Sequence, residues 1–361
     1  MKSNPLFKAS ILTLVLVISF TLCFELYWRG RGFSTTYNDD KILWTTARKE
    51  IYRSSNEATV FIGSSRIKFD VDILTWEKLT GEEAIQLAFV ATSPRPVLRH
   101  LANDENFKGK LIIDMMEPIF FSPRTFITEK SAIESIDYFQ NETPAQKTSS
   151  VLNFMLESNL VVLEEGKFGL NNLLNDLQIP SRPGVFMFPS FPQEFAVSNF
   201  DRQTYMTPMF LADPVLIKRQ TENWAKLGAL DKSPGIKGEA LEAVFKEVKD
   251  AVDKIRARGG SVVFIRPPSN GGYLETENLV YPRQEYWDVM LAYIDAPGIH
   301  YRDYPETANF VCPEWSHLDP KDGVTYTTQL VKILQEEKGW TFRKKSNLTS
   351  SSKIKESDLT E

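Results

Sequence analysis

From residue 58 to residue 116 the chain alternates short apolar runs with amphipathic stretches. ATVFIG (58–63) is apolar and β-branched, the pattern of a buried strand. VDILTWEKL (71–79) spaces its apolar residues as a helix does and stops before Gly81. EAIQLAF (83–89) predicts a second strand, SPRPVLRHLAND (93–104) a helix opened by Ser93, and KLIIDMM (110–116) a third strand. The same rhythm returns later. Leu241, Val244, Val248, Val252 and Ile255 follow one helical face that stops at Gly259 and Gly260. SVVFIRPP (261–268) reads as a strand, 282–295 as a helix, GIHYRDYP (298–305) as a last strand, and Asp319 to Gln335 as a closing helix.

Strands alternating with helices predict an α/β fold with a parallel sheet covered on both faces. Between the two blocks the pattern loosens. Residues 131–177 have helical spacing, whereas 178–213 are rich in Pro and Phe and read as an irregular excursion. The expected organisation is therefore a domain over 58–340 carrying an insertion at about 125–235. A polar stretch at 29–57 precedes it as a connector, with a helix from Asp40 to Arg53. A Ser-, Lys- and Glu-rich tail over 341–361 reads as disordered.

The N-terminus departs from this pattern. Ala9 to Phe24 carries no charge, Lys2 and Lys8 precede it, and Tyr27 and Trp28 follow it. Leu6 to Trp28 as a helix spans roughly 30 Å, about one bilayer core. The aromatic pair suits the far interface, and the lysines suit the near one. A cleaved signal peptide is the alternative, but the run exits through bulky, charged CFELYWRGRGF rather than small residues. The expectation is an uncleaved anchor over 1–28. The lysine and arginine flanks nearly balance; we read the N-terminus as inside and the domain as outside.

Composition narrows the partners. The 361 residues carry a net charge of −5, with no basic stripe for nucleic acid. Cys23 lies in the apolar run, which leaves Cys312 without an intrachain partner. A cysteine-poor domain fits a bacterial periplasm or a cytosol. Three dispersed histidines supply no standard zinc spacing, so no metal and no cofactor is expected.

In a parallel sheet the ligand lies beyond the carboxyl ends of the strands, which singles out GSSR (63–66) and the stretch ahead of the closing helix. Gly63 permits a tight turn, after which Ser64 or Ser65 either caps the next helix or presents a nucleophile. PEWSHLDPKDG (313–323) holds His317 three residues after Glu314. That spacing allows the carboxylate to meet Nδ1 while Nε2 takes a serine proton; a plain surface pair is the alternative. His100 reads as a helix-surface residue and His300 as structural. Arg66 and Arg266 point toward the same face. They either bind an acidic ligand or pair with Asp114 or Glu117. Phe186, Phe188, Phe191, Phe195 and Phe200 form either core or a wall for stacking sugars.

G-S-S-R after the first strand, with E-W-S-H-L before the last helix, resembles the SGNH/GDSL hydrolase superfamily over roughly 58–118 and 240–335. The likeness is to its membrane-anchored periplasmic branch, which modifies exopolysaccharides and cell-wall polymers. That resemblance implies a flavodoxin-like three-layer fold. Ser65 would be the nucleophile, His317 the base and Glu314 its orienter, with Ser64 where Asp is usual. Ala91 or Thr92 falls where a glycine supplies an oxyanion N–H, and LIIDMMEP lacks the expected Asn. The implied activity is that of a serine esterase or O-acyltransferase at the bacterial inner membrane, acting on a glycan with a membrane acyl-donor protein as partner. The alternative is a weakly catalytic scaffold in a polysaccharide assembly or export complex.

Overall fold

The computed structural model describes residues 4–53, 58–170, 173–174, 189–230 and 234–342. Five parallel strands form the central sheet: β1 (Thr59–Ile62), β2 (Ala84–Gln86), β3 (Lys110–Asp114), and, beyond the insertion, two more. The chain first enters α1 (Pro5–Arg29) and α2 (Lys41–Arg53). α3 (Ser65–Asp70) and α4 (Ile73–Thr80) link β1 to β2, and α5 (Arg95–Ala102) links β2 to β3. The insertion contains α6 (Lys130–Asn141), α7 (Pro144–Glu157), a hairpin of β4 (Ala196–Ser198) and β5 (Thr204–Met206), and α8 (Pro214–Leu230). Then follow α9 (Glu239–Ala257), β6 (Ser261–Arg266), α10 (Gly271–Val280), α11 (Arg283–Ile294), β7 (Gly298–His300) and α12 (Pro320–Glu336).

The strands lie in the order β2-β1-β3-β6-β7. The period-two alternation of each strand divides its side chains between two cores. Val60, Ile62, Leu111, Ile113, Val262 and Phe264 face a layer containing Trp44 of α2, Leu98 of α5, Val248 of α9 and Met290 of α11. Phe61, Ile112, Val263 and Ile265 face the other layer, with Ile67 of α3, Trp76 of α4 and Leu330 of α12. Runs that read as continuously apolar therefore serve both faces.

Several boundaries move. The expected strands 83–89 and 298–305 shorten to three residues each, because Leu87 onward leads into the loop beside Gly63 and Tyr301–Asp303 winds into a 3-10 turn. Ser93 is not the cap of α5; Pro94 holds that place, and Ser93 Oγ accepts from Arg95 N–H at 3.4 Å. The stretch 29–57 is more than a polar tether. Trp44 is fully buried and donates from Nε1 to the Leu87 carbonyl at 3.0 Å.

Within the excursion at 178–213 the described residues include the β4–β5 hairpin, whose tip carries Arg202 at φ 63°; 178–188 lie outside the described residues. Its guanidinium donates to the carbonyls of Gln86 and Ala88 at 2.8 and 3.0 Å and pairs with Asp39 at 2.6 Å. One buried arginine thus fastens the insertion to the end of β2. The same Asp39 holds Lys68, whose burial lowers its pKa to about 8. The tail from residue 343 lies outside the described residues.

α1 is long and apolar enough to cross a membrane, and it lies near the N-terminus. Its side chains are largely exposed from Leu6 to Leu22, as a lipid-facing helix requires.

Candidate active site

β1 ends on Gly63, and the chain turns at once into α3. A Cβ at Gly63 would lie 2.4 Å from the Asp114 Cβ, so the turn depends on glycine through close approach. Asp114, at the end of β3, accepts from the Ser64 N–H at 3.1 Å and pins the turn from below. Ser64 is the N-cap by position, but its side chain makes no capping bond. Ser65 is the first residue of α3, and its hydroxyl is aimed elsewhere.

Ser65 Oγ lies 2.8 Å from His317 Nε2. His317 Nδ1 lies 2.8 Å from Glu314 Oε1. The three residues are separated by up to 252 positions in the chain, yet they form one continuous line of hydrogen bonds. Ser65 is 8% exposed, His317 2% and Glu314 0%. With a carboxylate at Nδ1, the neutral imidazole keeps its proton there, and Nε2 accepts from the serine hydroxyl.

Local geometry explains how a carboxylate three residues upstream reaches its own histidine. Trp315 adopts φ 79°, a left-handed conformation unusual for a residue with a large side chain. That twist turns the chain back on Glu314, whose Oε1 also accepts from the N–H groups of Ser316 and His317 at 3.3 and 2.7 Å. The Trp315 ring lies against Gly271 and Gly272 at the start of α10. A Cβ at Gly271 would come within 2.5 Å of it.

Four residues that the sequence did not single out hold this arrangement. Trp224 on α8 donates from Nε1 to Glu314 Oε2, so the insertion supplies the second bond to that carboxylate. Asp70, at the far end of α3 from Ser65, accepts from Leu318 N–H at 2.8 Å. Phe69 stacks on the imidazole of His317 with centroids 4.2 Å apart. One helix of six residues therefore carries the serine at its start and grips the histidine loop at its end. Glu277 on α10 is the fourth, described below. Their signals were weak because an Asp or Trp in an amphipathic helix reads as ordinary packing.

The residues expected to supply an oxyanion donor are mixed in their placement. Ala91 adopts φ 50°, the left-handed conformation that a glycine would take without cost. The Phe89 N–H donates to the Gly63 carbonyl at 3.2 Å, which places the loop containing Ala91 beside the serine turn. The N–H groups of Ser65 and Ala91 donate to no other described residue. Thr92 turns its hydroxyl inward to the Val90 carbonyl at 2.9 Å. Neither carboxylate after β3 stands open toward the serine. Asp114 faces the Ser64 N–H, and Glu117 faces Arg266 at 3.3 Å. Burial raises the Asp114 pKa to about 6, against the pull of Arg66 and the Ser64 N–H.

Arg66 and Arg266 do not present themselves to an outside ligand. They are 0% and 2% exposed and share Glu277, each at 2.5 Å. Arg266 also donates to Ser269 Oγ at 2.8 Å. Their expected carboxylates were Asp114 and Glu117; only the Arg266–Glu117 pair forms, and Glu277 takes the central place. This buried cluster underlies the site as a structural base.

Of the five phenylalanines, Phe186 and Phe188 lie outside the described residues. Phe195 stands 6.2 Å from His317 and stacks with Phe69, and Phe191 packs against Trp224 at 5.2 Å. Phe200 belongs elsewhere, between Tyr37 and Phe154. His100 receives Arg48 Nε at 3.1 Å, and His300 accepts from the Arg302 N–H at 3.2 Å. Burial and neighbouring arginines depress their pKa values to about 4 and about 2, so both are neutral.

No family model and no curated protein matches this chain.

Proposed function

We propose that this protein is a membrane-anchored serine esterase or O-acyltransferase of the SGNH type. The observation that carries the proposal is the line from Ser65 Oγ through His317 to Glu314, with 2.8 Å at each step. The order of the five sheet strands, second-first-third-fourth-fifth along the chain, supports a flavodoxin-like fold. The site then lies beyond the carboxyl end of β1, where that fold places ligands.

In this reading Ser65 Oγ attacks an acyl carbonyl while its proton passes to His317 Nε2. Glu314 steadies the resulting imidazolium. The N–H groups of Ser65 and Ala91 donate to the oxyanion. Collapse expels the alcohol, which leaves with the proton from Nε2, and an acyl-Ser65 remains. Water or a sugar hydroxyl then attacks the acyl group while Nε2 takes its proton; the bond from the acyl carbon to Ser65 Oγ breaks, and Nε2 returns the proton to Oγ. The rings of Phe191, Phe195, Trp224 and Tyr273 suit a glycan, whose apolar ring faces stack on aromatics. We place the domain on the periplasmic side of a bacterial inner membrane, with a membrane acyl-donor protein as partner. The aromatic exit of α1 and the glycan-directed resemblance support that placement.

Fluorophosphonate labelling tests the chemistry. The wild-type chain is expected to label on Ser65, and Ser65→Ala to abolish it. Labelling absent in a folded wild-type chain would favour the second reading, a glycan-binding scaffold. That reading draws on the missing Asn donor after β3, a loss worth about 10²–10³ in rate where such a donor operates.

A further inference from the structure

Residues 159–168 fold against the last turns of α1. Glu25 accepts from the Val162 N–H at 2.9 Å, and Arg29 donates to the Asn159 carbonyl at 3.0 Å. Phe24 and Trp28 each lie 5.0 Å from the ring of Phe168. α7 ends two residues before Asn159, so its C-terminus sits beside the point where α1 leaves its apolar stretch.

α7 has two unlike faces. On one, Phe154 packs between Tyr37 and Phe200, and Glu157 accepts from Asn38. On the other, Val151, Leu152, Met155 and Leu156 are 67%, 52%, 58% and 46% exposed. Their spacing of one, three and one places them on a single helical stripe. From Thr143 to Glu157 the only charges are Lys147 and the inward Glu157. Leu163 and Leu170, which flank Phe168 in the chain, are also exposed. A clustered apolar surface of this kind marks an interaction site.

We infer that the outer face of α7 docks on the bilayer that α1 crosses, with the helix lying in the boundary between headgroups and acyl chains. The inference rests on α1 being a membrane span, not on the catalytic reading. Continuity selects lipid as the occupant. The 14 residues of α7 extend about 21 Å from a point held directly to α1, and the apolar stripe stands opposite polar Gln146, Ser150 and Asn153, the amphipathic division that lets a helix lie in the interface. Two attachments, the span and α7, hold the domain at one height and tilt where a single flexible tether would not.

The test uses the full-length chain in nanodiscs of phosphatidylethanolamine and phosphatidylglycerol, in a Cys23→Ser background. An environment-sensitive fluorophore is placed in turn at Leu152→Cys, Met155→Cys, Val15→Cys within α1, and Leu279→Cys, a highly exposed position on α10. Quenching is read with brominated acyl chains and with aqueous iodide. The expected result is bromolipid quenching and loss of iodide quenching at 15, 152 and 155, with the reverse at 279. Probes at 152 and 155 that behave like 279, while 15 remains lipid-quenched, overturn the docking and leave the span intact. A probe at 15 that is reached by iodide removes the span and the docking together. A disulfide-linked dimer through Leu152→Cys assigns the face to a second copy and also overturns the proposal.

Discussion

Glu314→Gln isolates how the structure holds the candidate base. Glu314 is fully buried and uses both oxygens. Oε1 accepts from His317 Nδ1 and from two backbone N–H groups; Oε2 accepts from Trp224 Nε1. Every surrounding group is a donor. A glutamine has one acceptor oxygen and one donor NH₂, so either orientation sets a buried donor against a donor. The better orientation keeps oxygen toward His317 and leaves NH₂ facing Trp224. An unsatisfied buried polar group costs about 1–3 kcal/mol, and loss of the carboxylate removes the charge that stabilises the imidazolium. The expected fall in fluorophosphonate labelling rate is about 10³–10⁴. Trp224→Phe alone leaves Oε2 without its donor and costs about 1–3 kcal/mol of stability. In the double variant, the mismatched amide no longer faces the indole N–H. Its destabilisation is expected to fall below the sum of the singles by about 1 kcal/mol or more. Thermal and urea unfolding of the four proteins, read with labelling rates, completes the cycle. Additivity within about 0.5 kcal/mol would refute the claim that the insertion steadies Glu314 through Trp224.

Asp114 titrates at about 6 in the fold, above its ordinary 3.8, so the folded state binds its proton more tightly. Stability from this group is therefore full below pH 3.8 and is lost as pH rises to 6, by about 3 kcal/mol. Between pH 4 and pH 7.5, Asp114→Asn should gain that amount relative to wild type; parallel melting curves across the range would contradict it. Gly271→Ala should destabilise by about 2–4 kcal/mol and slow labelling, because its Cβ meets the Trp315 ring at φ 53°. Unchanged melting and labelling would show that Trp315 does not depend on that contact. Ala91→Gly should retain labelling and stabilise by about 0.5 kcal/mol, since relief of left-handed strain outweighs the entropy added to the unfolded chain. Loss of labelling would place the oxyanion donor elsewhere.

Much of the core was legible because burial imposes periodicity. The apolar runs at 59–62, 110–114 and 261–266 had to be strands of a covered parallel sheet, and Gly81 had to end a helix. Ser65, His317 and Glu314 were legible as candidates because a serine after a strand-ending glycine and a carboxylate three residues before a histidine are few in this chain, and the sheet rule says where such loops gather. A helix long and apolar enough to cross a membrane was legible by charge exclusion alone. The sequence did not reveal which buried charges pair. Arg66 and Arg266 read as binding an acidic ligand or pairing with Asp114 or Glu117; in the fold both pair with Glu277 on a later helix, and Arg266 pairs with Glu117 as well. It also did not reveal that the insertion reaches the site, because Trp224 carries no periodic signature for a contact 90 positions away.

Local pattern thus determined the elements of this protein, their order and the residue types available for chemistry, because helical and strand periods are written in neighbouring positions. Only the tertiary structure decided that Ser65, His317 and Glu314 form one line, that Asp70 and Trp224 brace it, and that the apolar stripe of α7 ends beside α1. Those are distances between residues far apart in the chain. They are set by how the sheet twists and how side chains fill the space between layers, and no short window of sequence contains them.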